Sequence, residues 1–92
     1  MTDQVRRSSW AVCANVAEAW RRRRYERSFV YRLNDAEAEA AETQTWLEFA
    51  VKCSYLDKEA ARPLYKRYDL ILGKLVTMIR HPEKWVIGEK YD

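Results

Sequence analysis

Arginine side chains are concentrated at one point of this chain, with aromatic residues beside them. Four consecutive arginines, Arg21 to Arg24, lie between Trp20 and Tyr25. Guanidinium groups form paired hydrogen bonds with phosphate oxygens, and neighbouring aromatic rings stack on nucleobases. The pattern is also typical of a solvated turn between two helices, whose charges pair with nearby acids. Both interpretations remain open at this stage.

Further arginines flank this block and extend the candidate surface. Together with the block, they give seven arginines that we predict to contact nucleic acid or another partner: Arg6, Arg7, Arg21, Arg22, Arg23, Arg24 and Arg27. Every basic residue before Lys52 is an arginine. Because arginine is preferred for bidentate contacts with phosphate and carboxylate, this bias favours an interface over solubility alone.

The charge is unevenly distributed along the chain, although the net charge is only +3. Residues 1–34 contain eight basic and three acidic side chains, whereas residues 35–61 contain two basic and seven acidic ones. The acidic run from Asp35 to Glu42 is typical of a solvated helix face. Alternatively, it forms a counter-surface for the arginines, within the chain or on a neighbouring subunit.

Residues that would support catalysis are scarce. The single histidine, His81, lies beside a proline, and the two glycines are too isolated to form a phosphate-binding loop. We therefore expect no enzyme, no catalytic residues, no metal ligands and no cofactor. Cys13 and Cys53 are expected to be small buried thiols, since they form no CxxC pair.

Apolar spacing predicts three long helices, approximately Thr2–Arg22, Tyr25–Ser54 and Asp57–Arg80. Pro63 is expected to kink the third helix or reset its start. The seam of the second helix is predicted at Phe29, Leu33, Ala36, Ala40, Thr43, Leu47 and Ala50. The first helix shows a stripe of Val5, Ser9, Val12, Val16 and Trp20.

The stretch from Ser8 to Trp20 is small and apolar around nearly the whole helix, so we expect it to be covered by another copy or a partner. Residues 1–81 are predicted to form one helical domain, and residues 82–92 an irregular tail in which Trp85 docks on the bundle. The chain shows no signal peptide and no run long enough to span a membrane, which predicts a cytoplasmic location.

The order of residues resembles a known family. The stretch from Gln4 to Trp20 resembles the QIRR…NIAEG signature of bacterial four-helix-bundle proteins that are often encoded within intervening sequences of large-subunit ribosomal RNA genes. The segments Ala40 to Leu56 and Met78 to Trp85 resemble later parts of the same family. Three ordered motifs are more specific than any one of them.

The resemblance implies an all-α, antiparallel bundle that forms a ring-shaped homo-oligomer, expected to be a pentamer. A related branch, the accessory protein of diversity-generating retroelements, works with a reverse transcriptase and nucleic acid. Family members normally carry one more helix before the QIRR segment, so we expect a bundle of three helices that lacks the usual first one. Packing within or between subunits is expected at Trp10, Asn15, Glu18 and Trp20.

Two functional hypotheses follow. The first is a non-enzymatic oligomer that associates with RNA or DNA through its arginine-rich surface, with little sequence preference. The second is a helical scaffold or adaptor that binds a protein partner without nucleic acid. The first is favoured, in part by analogy with the retroelement branch.

Overall fold

Three long α-helices account for most of the protein. The structure is a computed structural model that describes residues 2–87. Helix α1 spans Thr2–Arg21, α2 spans Glu26–Lys52 and α3 spans Lys58–Arg80, and a short 3-10 helix follows at Pro82–Lys84. No strand occurs in this described range, which confirms the predicted all-α bundle of three long helices.

Helix α2 lies in the middle of the molecule and packs against both other helices. The backbones of α1 and α3 rarely come close to each other. The described residues extend over 53 × 21 × 13 Å, so the molecule is elongated and flattened. As a result, α1 and α3 each keep part of their surface open to other molecules.

The apolar core is concentrated at the end where α1 leads into α2. Its buried members are Ala19, Phe29, Leu33, Ala36, Leu75 and Val86. The predicted seam of α2 is confirmed at all seven positions, each of which is buried. Gln44 is buried beside the seam and was not predicted.

The packed face of α1 differs from the predicted stripe. Ser8, Val12 and Ala19 are buried against α2, and the Thr43 hydroxyl donates a 2.8 Å hydrogen bond to Ser8 Oγ. Trp20, a predicted stripe residue, is 44% exposed. The face is rotated because the neighbouring flank of α1 also consists of small residues, which allow a closer approach to α2.

Both cysteines are exposed, so their predicted burial is wrong. Cys13 lies on the side of α1 that turns away from α2, three residues after the exposed Trp10. Cys53 caps the C-terminus of α2 and lies in the connection to α3. Their apolar character suggested core positions, but both side chains lie at the surface, Cys13 close enough to Tyr68 of α3 to act on its pKa.

The connection between α2 and α3 is tight. The backbone N–H groups of Tyr55 and Leu56 both donate to the Ala50 carbonyl, at 2.8 and 3.2 Å. Ser54 between them and the helix has φ of 62°, in the left-handed region that favours glycine. Helix α3 begins directly after Asp57 and continues through Pro63, so the proline does not reset its start.

The segment after α3 returns to the core. Val86 is buried with Phe29 and Leu75, and Trp85 contacts Trp20, as the predicted docking of Trp85 requires. The last part of the predicted tail, residues 88–92, lies outside the described residues. Within residues 2–87, no helix combines the length and apolar character that a membrane crossing requires.

Candidate nucleic-acid interface

A cleft opens at the end of the molecule where α1 turns into α2. It has a cavity volume of about 490 Å³. We call it the aromatic cleft, and its lining residues are Trp20, Arg21, Arg23, Arg24, Tyr25 and Ile87. Three of the four consecutive arginines therefore line one cavity together with both flanking aromatic residues.

A short turn creates the cleft. Helix α1 ends at Arg21, and Tyr25 donates its backbone N–H to the Arg22 carbonyl at 2.9 Å, which closes the turn. Tyr25 has an extended backbone, with φ of −122°, and accepts the Phe29 N–H at 2.9 Å as α2 begins. The Tyr25 residue remains 60% exposed, so its ring is available to a ligand.

The segment after α3 forms another wall of the cleft. The Ile87 N–H donates to the Arg23 carbonyl at 2.9 Å. Trp85 meets Trp20 edge to face, with ring centroids 6.2 Å apart and planes inclined at 61°. Sequence reasoning missed Ile87, because no local pattern announces a backbone bond between positions 64 residues apart in the chain.

Arg22 and Arg23 are each held by two contacts within the chain. The Arg23 guanidinium lies 3.7 Å from the centroid of the Trp20 ring, and Arg23 Nε donates to the Trp20 carbonyl at 3.0 Å. Arg22 Nε donates to Glu18 Oε2 at 2.6 Å, and Arg22 also donates to Ser28 Oγ at 3.2 Å. These two side chains stabilise the turn.

The Glu18 carboxylate anchors the basic end of α1. Arg21 reaches its other oxygen at 2.8 Å but keeps a side chain that is 77% exposed. The hydrogen bond from Arg22, together with the charges of Arg21 and Arg22, holds the pKa of Glu18 below its usual value, against a smaller opposing effect of desolvation. Arg24 and Arg27 are exposed and form no ion pair with the described part of the chain.

The other predicted arginines do not join this cavity within one chain. Arg6 and Arg7 lie about 22 Å from Arg21 along the α1 axis, at a rise of about 1.5 Å per residue. The charge of Arg7 acts on Glu39 of α2. Arg27, in the first turn of α2, lies beside the cleft without lining it.

The acidic run of α2, from Asp35 to Glu42, does not line the cleft. The pKa of Glu39 is raised by partial burial and by its hydrogen bond with Glu42, and the Arg7 charge only partly opposes this effect. Asp35 lies 3.8 Å from Arg32. Within the chain, Glu18 rather than the run from Asp35 to Glu42 pairs with the arginines of the turn.

The residues predicted to pack within or between subunits have different surroundings. Trp10 is 71% exposed, and Cys13 and Ala17 are exposed on successive turns of the same side of α1. Trp20 contributes to the cleft, as described above. Asn15 instead donates its amide to the Ala11 carbonyl at 3.0 Å, a contact within its own helix.

Between residues 2 and 87, no group of three histidine, cysteine or acidic residues is arranged to hold a metal ion. The imidazole of His81 lies 3.7 Å from Glu83, its only ion-pair neighbour in that range. The cleft itself brings together guanidinium groups and aromatic rings.

The three long helices define a class of small, all-helical bundle proteins. The model of the 23S rRNA-intervening sequence protein family matches residues 1–77. The chain belongs to this family, which confirms the resemblance found in the sequence.

A solved structure supports the same assignment. The crystal structure of a protein of unknown function from the S23 ribosomal protein family of Bacteroides thetaiotaomicron superposes with a TM-score of 0.81 and 30% sequence identity. The similarity covers 86% of this chain and 72% of that one. No match is found among curated proteins.

Proposed function

We propose that this protein is a non-enzymatic, oligomeric helical bundle that binds single-stranded RNA or DNA through the aromatic cleft. The observation that carries the proposal is the presence of exposed arginines and an exposed tyrosine ring around one cavity. Cations that neutralise phosphates and aromatic rings that stack on bases are the two components of sequence-tolerant single-strand binding.

The proposal assigns separate roles to the arginines of the turn. Arg21 and Arg24 contact phosphates, because both are exposed in the cavity wall. Arg22 and Arg23 keep the turn in shape, through Glu18 and Trp20 respectively. Tyr25 provides the stacking surface, since one face of Trp20 is already covered by Arg23.

Self-association is the second part of the proposal. The exposed Trp10, Cys13 and Ala17 follow the i, i+3, i+7 spacing of a helix contact face, and a neighbouring subunit would cover them. A closed ring, with the five subunits that the family resemblance implies, would repeat the cleft on one surface. Repetition of the same charge strengthens both phosphate binding and electrostatic steering.

Fluorescence anisotropy with labelled oligo(dT) and oligo(U), titrated at several salt concentrations, tests the binding proposal. The Arg21→Gln/Arg24→Gln variant should lose about 1.4 units of the slope of log affinity against log salt, at about 0.7 per phosphate contact. Tyr25→Leu should lower affinity by about fivefold or more, the lower end of what stacking on one base contributes.

Matched variants make the test specific. Arg6→Gln/Arg7→Gln removes the same charge from the other end of α1, and Tyr31→Leu removes another exposed tyrosine of α2. Both should retain most of the affinity. Equal losses in the cleft variants and their matched controls would refute the assignment to the cleft, and absence of binding would refute the function.

Light scattering after size exclusion tests the oligomer, and Trp10→Glu should reduce the measured mass to that of a smaller species. A monomeric wild type would refute this part of the proposal. The competing protein scaffold, for example one that binds a reverse transcriptase, requires capture of a specific protein that survives nuclease treatment.

A further inference from the structure

A second cavity lies at the opposite end of the molecule, between the last turns of α2 and the first half of α3. Its volume is about 710 Å³. We call it the α2–α3 groove. Its floor consists of Leu47, Val51, Ala61 and Tyr65, and its basic rim consists of Lys52, Lys58, Arg62 and Lys66. Glu48 and Asp69 also line it.

The groove lies where α3 turns a small residue toward α2. Helix α3 presents Ala61 to α2 here, whereas it presents the larger Leu75 near the other end. Polar contacts rather than apolar bulk join the helices: buried Gln44 donates to Asp69 Oδ1 at 2.8 Å and to the Tyr65 carbonyl at 3.1 Å. The aliphatic floor is consequently left open.

The charge of the groove is unbalanced. Four basic residues line it against two acids, and both acids already accept hydrogen bonds within the chain, Asp69 from Gln44 and Glu48 from the Tyr65 hydroxyl at 3.0 Å. Arg62 lies 3.9 Å from Glu59 in an exposed contact. Among residues 2–87, no acid forms an ion pair with the lysines of the rim, namely Lys52, Lys58 and Lys66.

We propose that the α2–α3 groove binds an acidic amphipathic helix of a partner protein. The groove follows α3 from Lys58 to Asp69, about 16 Å at a helical rise of about 1.5 Å per residue, which accommodates about three turns of a bound helix. Aliphatic side chains at i, i+4 and i+7 would cover the floor, and flanking carboxylates would meet the basic rim.

A second copy of this chain does not offer such a helix. Its exposed apolar stripe on α1, around Trp10, is flanked by Arg6 and Arg7, whose charge has the same sign as the rim. Its acidic run from Asp35 to Glu42 has alanine as its only apolar residue type. Nucleic acid is also a poorer fit, because Tyr65 is the only aromatic ring among the lining residues.

Fluorescence anisotropy with a synthetic peptide tests the proposal. The probe is a labelled helical peptide of about four turns, with leucines at i, i+4 and i+7 spacing and glutamates beside them. It should bind the full chain, whereas a control peptide with lysine in place of every glutamate should not. Lys58→Glu/Lys66→Glu should weaken the acidic peptide by about tenfold or more, because attraction becomes repulsion at two exposed sites.

Lys74→Glu/Arg80→Glu is the matched control, since both residues are exposed on α3 outside the groove. It should leave the affinity of the acidic peptide within about twofold, because rim contacts act over a short range in salt. Equal binding of the two peptides, no binding of the acidic one, or equal effects of the two variants would overturn the proposal. Displacement of the peptide by oligo(dT) would overturn it in favour of a nucleic-acid surface, and loss of oligomer mass on peptide binding would overturn it in favour of a second copy.

Discussion

The two ends of the molecule carry the same sign of charge on different surfaces. At the aromatic cleft, arginines surround Trp20 and Tyr25, whereas at the α2–α3 groove three lysines and one arginine surround a floor that is aliphatic except for Tyr65. Guanidinium groups beside aromatic rings suit phosphates and bases, while ammonium groups beside an aliphatic floor suit an acidic helix. Positive charge alone therefore does not specify the partner of a small basic protein; the side chains next to the charged groups do.

The ends also differ in what holds the helices together. The cleft rests on the apolar core, where Phe29 and Leu33 are completely buried and Val86 closes the end of the bundle. At the groove, the hydrogen bonds of Gln44 connect α2 with α3 across small side chains. Each end should therefore respond to a different kind of substitution.

The largest expected effect comes from the core beneath the cleft. Phe29→Ala should lower the free energy of unfolding by about 3–5 kcal/mol, because it removes a fully buried ring and leaves a cavity. Phe49→Ala, at a half-exposed position of the same helix, should cost much less. Urea unfolding followed by circular dichroism measures both. Similar losses for the two variants would mean that the cleft end has no dominant core.

The next effect concerns the polar connection at the groove. Gln44→Ala should lower the free energy of unfolding by about 1–2 kcal/mol, since it removes bonds to Asp69 and to the Tyr65 carbonyl. Hydrogen exchange should accelerate in the first half of α3 more than at the cleft, because the loss is local.

Gln4→Ala is a suitable control for this substitution. The side-chain oxygen of Gln4 is buried and has no hydrogen-bond partner among the described residues, so its removal sacrifices no such bond. Gln4→Ala should lower the free energy of unfolding clearly less than Gln44→Ala does. Equal costs, or exchange that accelerates uniformly along the chain, would remove the distinction between an apolar and a polar end.

Periodicity predicted the central helix well and the first helix less well, for a physical reason. Helix α2 separates apolar positions such as Phe29 and Leu33 by charged ones, so its buried seam can be recognised from the spacing. Helix α1 has small residues on several sides, so Ser8 and Ala19 of the flank are buried together with Val12 of the predicted stripe, while Val16 is only partly buried against the core. Sequence alone does not decide which of two small faces packs.

The candidate site was predictable in composition but not in its division of roles. The adjacency of Trp20, the arginines and Tyr25 can be read directly from the sequence. The geometry of the turn lets Glu18 and Ser28 bind Arg22, which is then less available to a ligand. The path of the chain after α3 brings the Ile87 N–H to the Arg23 carbonyl. The groove left no sequence signal, because its basic rim is dispersed over two helices.

The smallest expected effect tests whether Glu18 tunes the cleft. The folded-state pKa of Glu18 lies below the ordinary value, so its ion pairs stabilise the protein above the unfolded pKa, and this contribution is lost as pH falls through the folded pKa. Glu18→Gln should therefore be slightly less stable than wild type at pH 7, and the difference should vanish in acid, where the wild-type carboxyl is also neutral.

The same substitution should act on binding in the opposite direction. Without Glu18, Arg21 and Arg22 lose their internal acid, so the cleft becomes more positive and its affinity for single strands should rise, most clearly at low salt. Glu26→Gln makes the same change of charge on a neighbouring exposed acid that forms no ion pair with the described residues. A larger gain for Glu18→Gln would show that the ion pairs themselves restrain the arginines, whereas equal gains would reduce the effect to net charge and weaken the separate roles assigned to the cleft arginines.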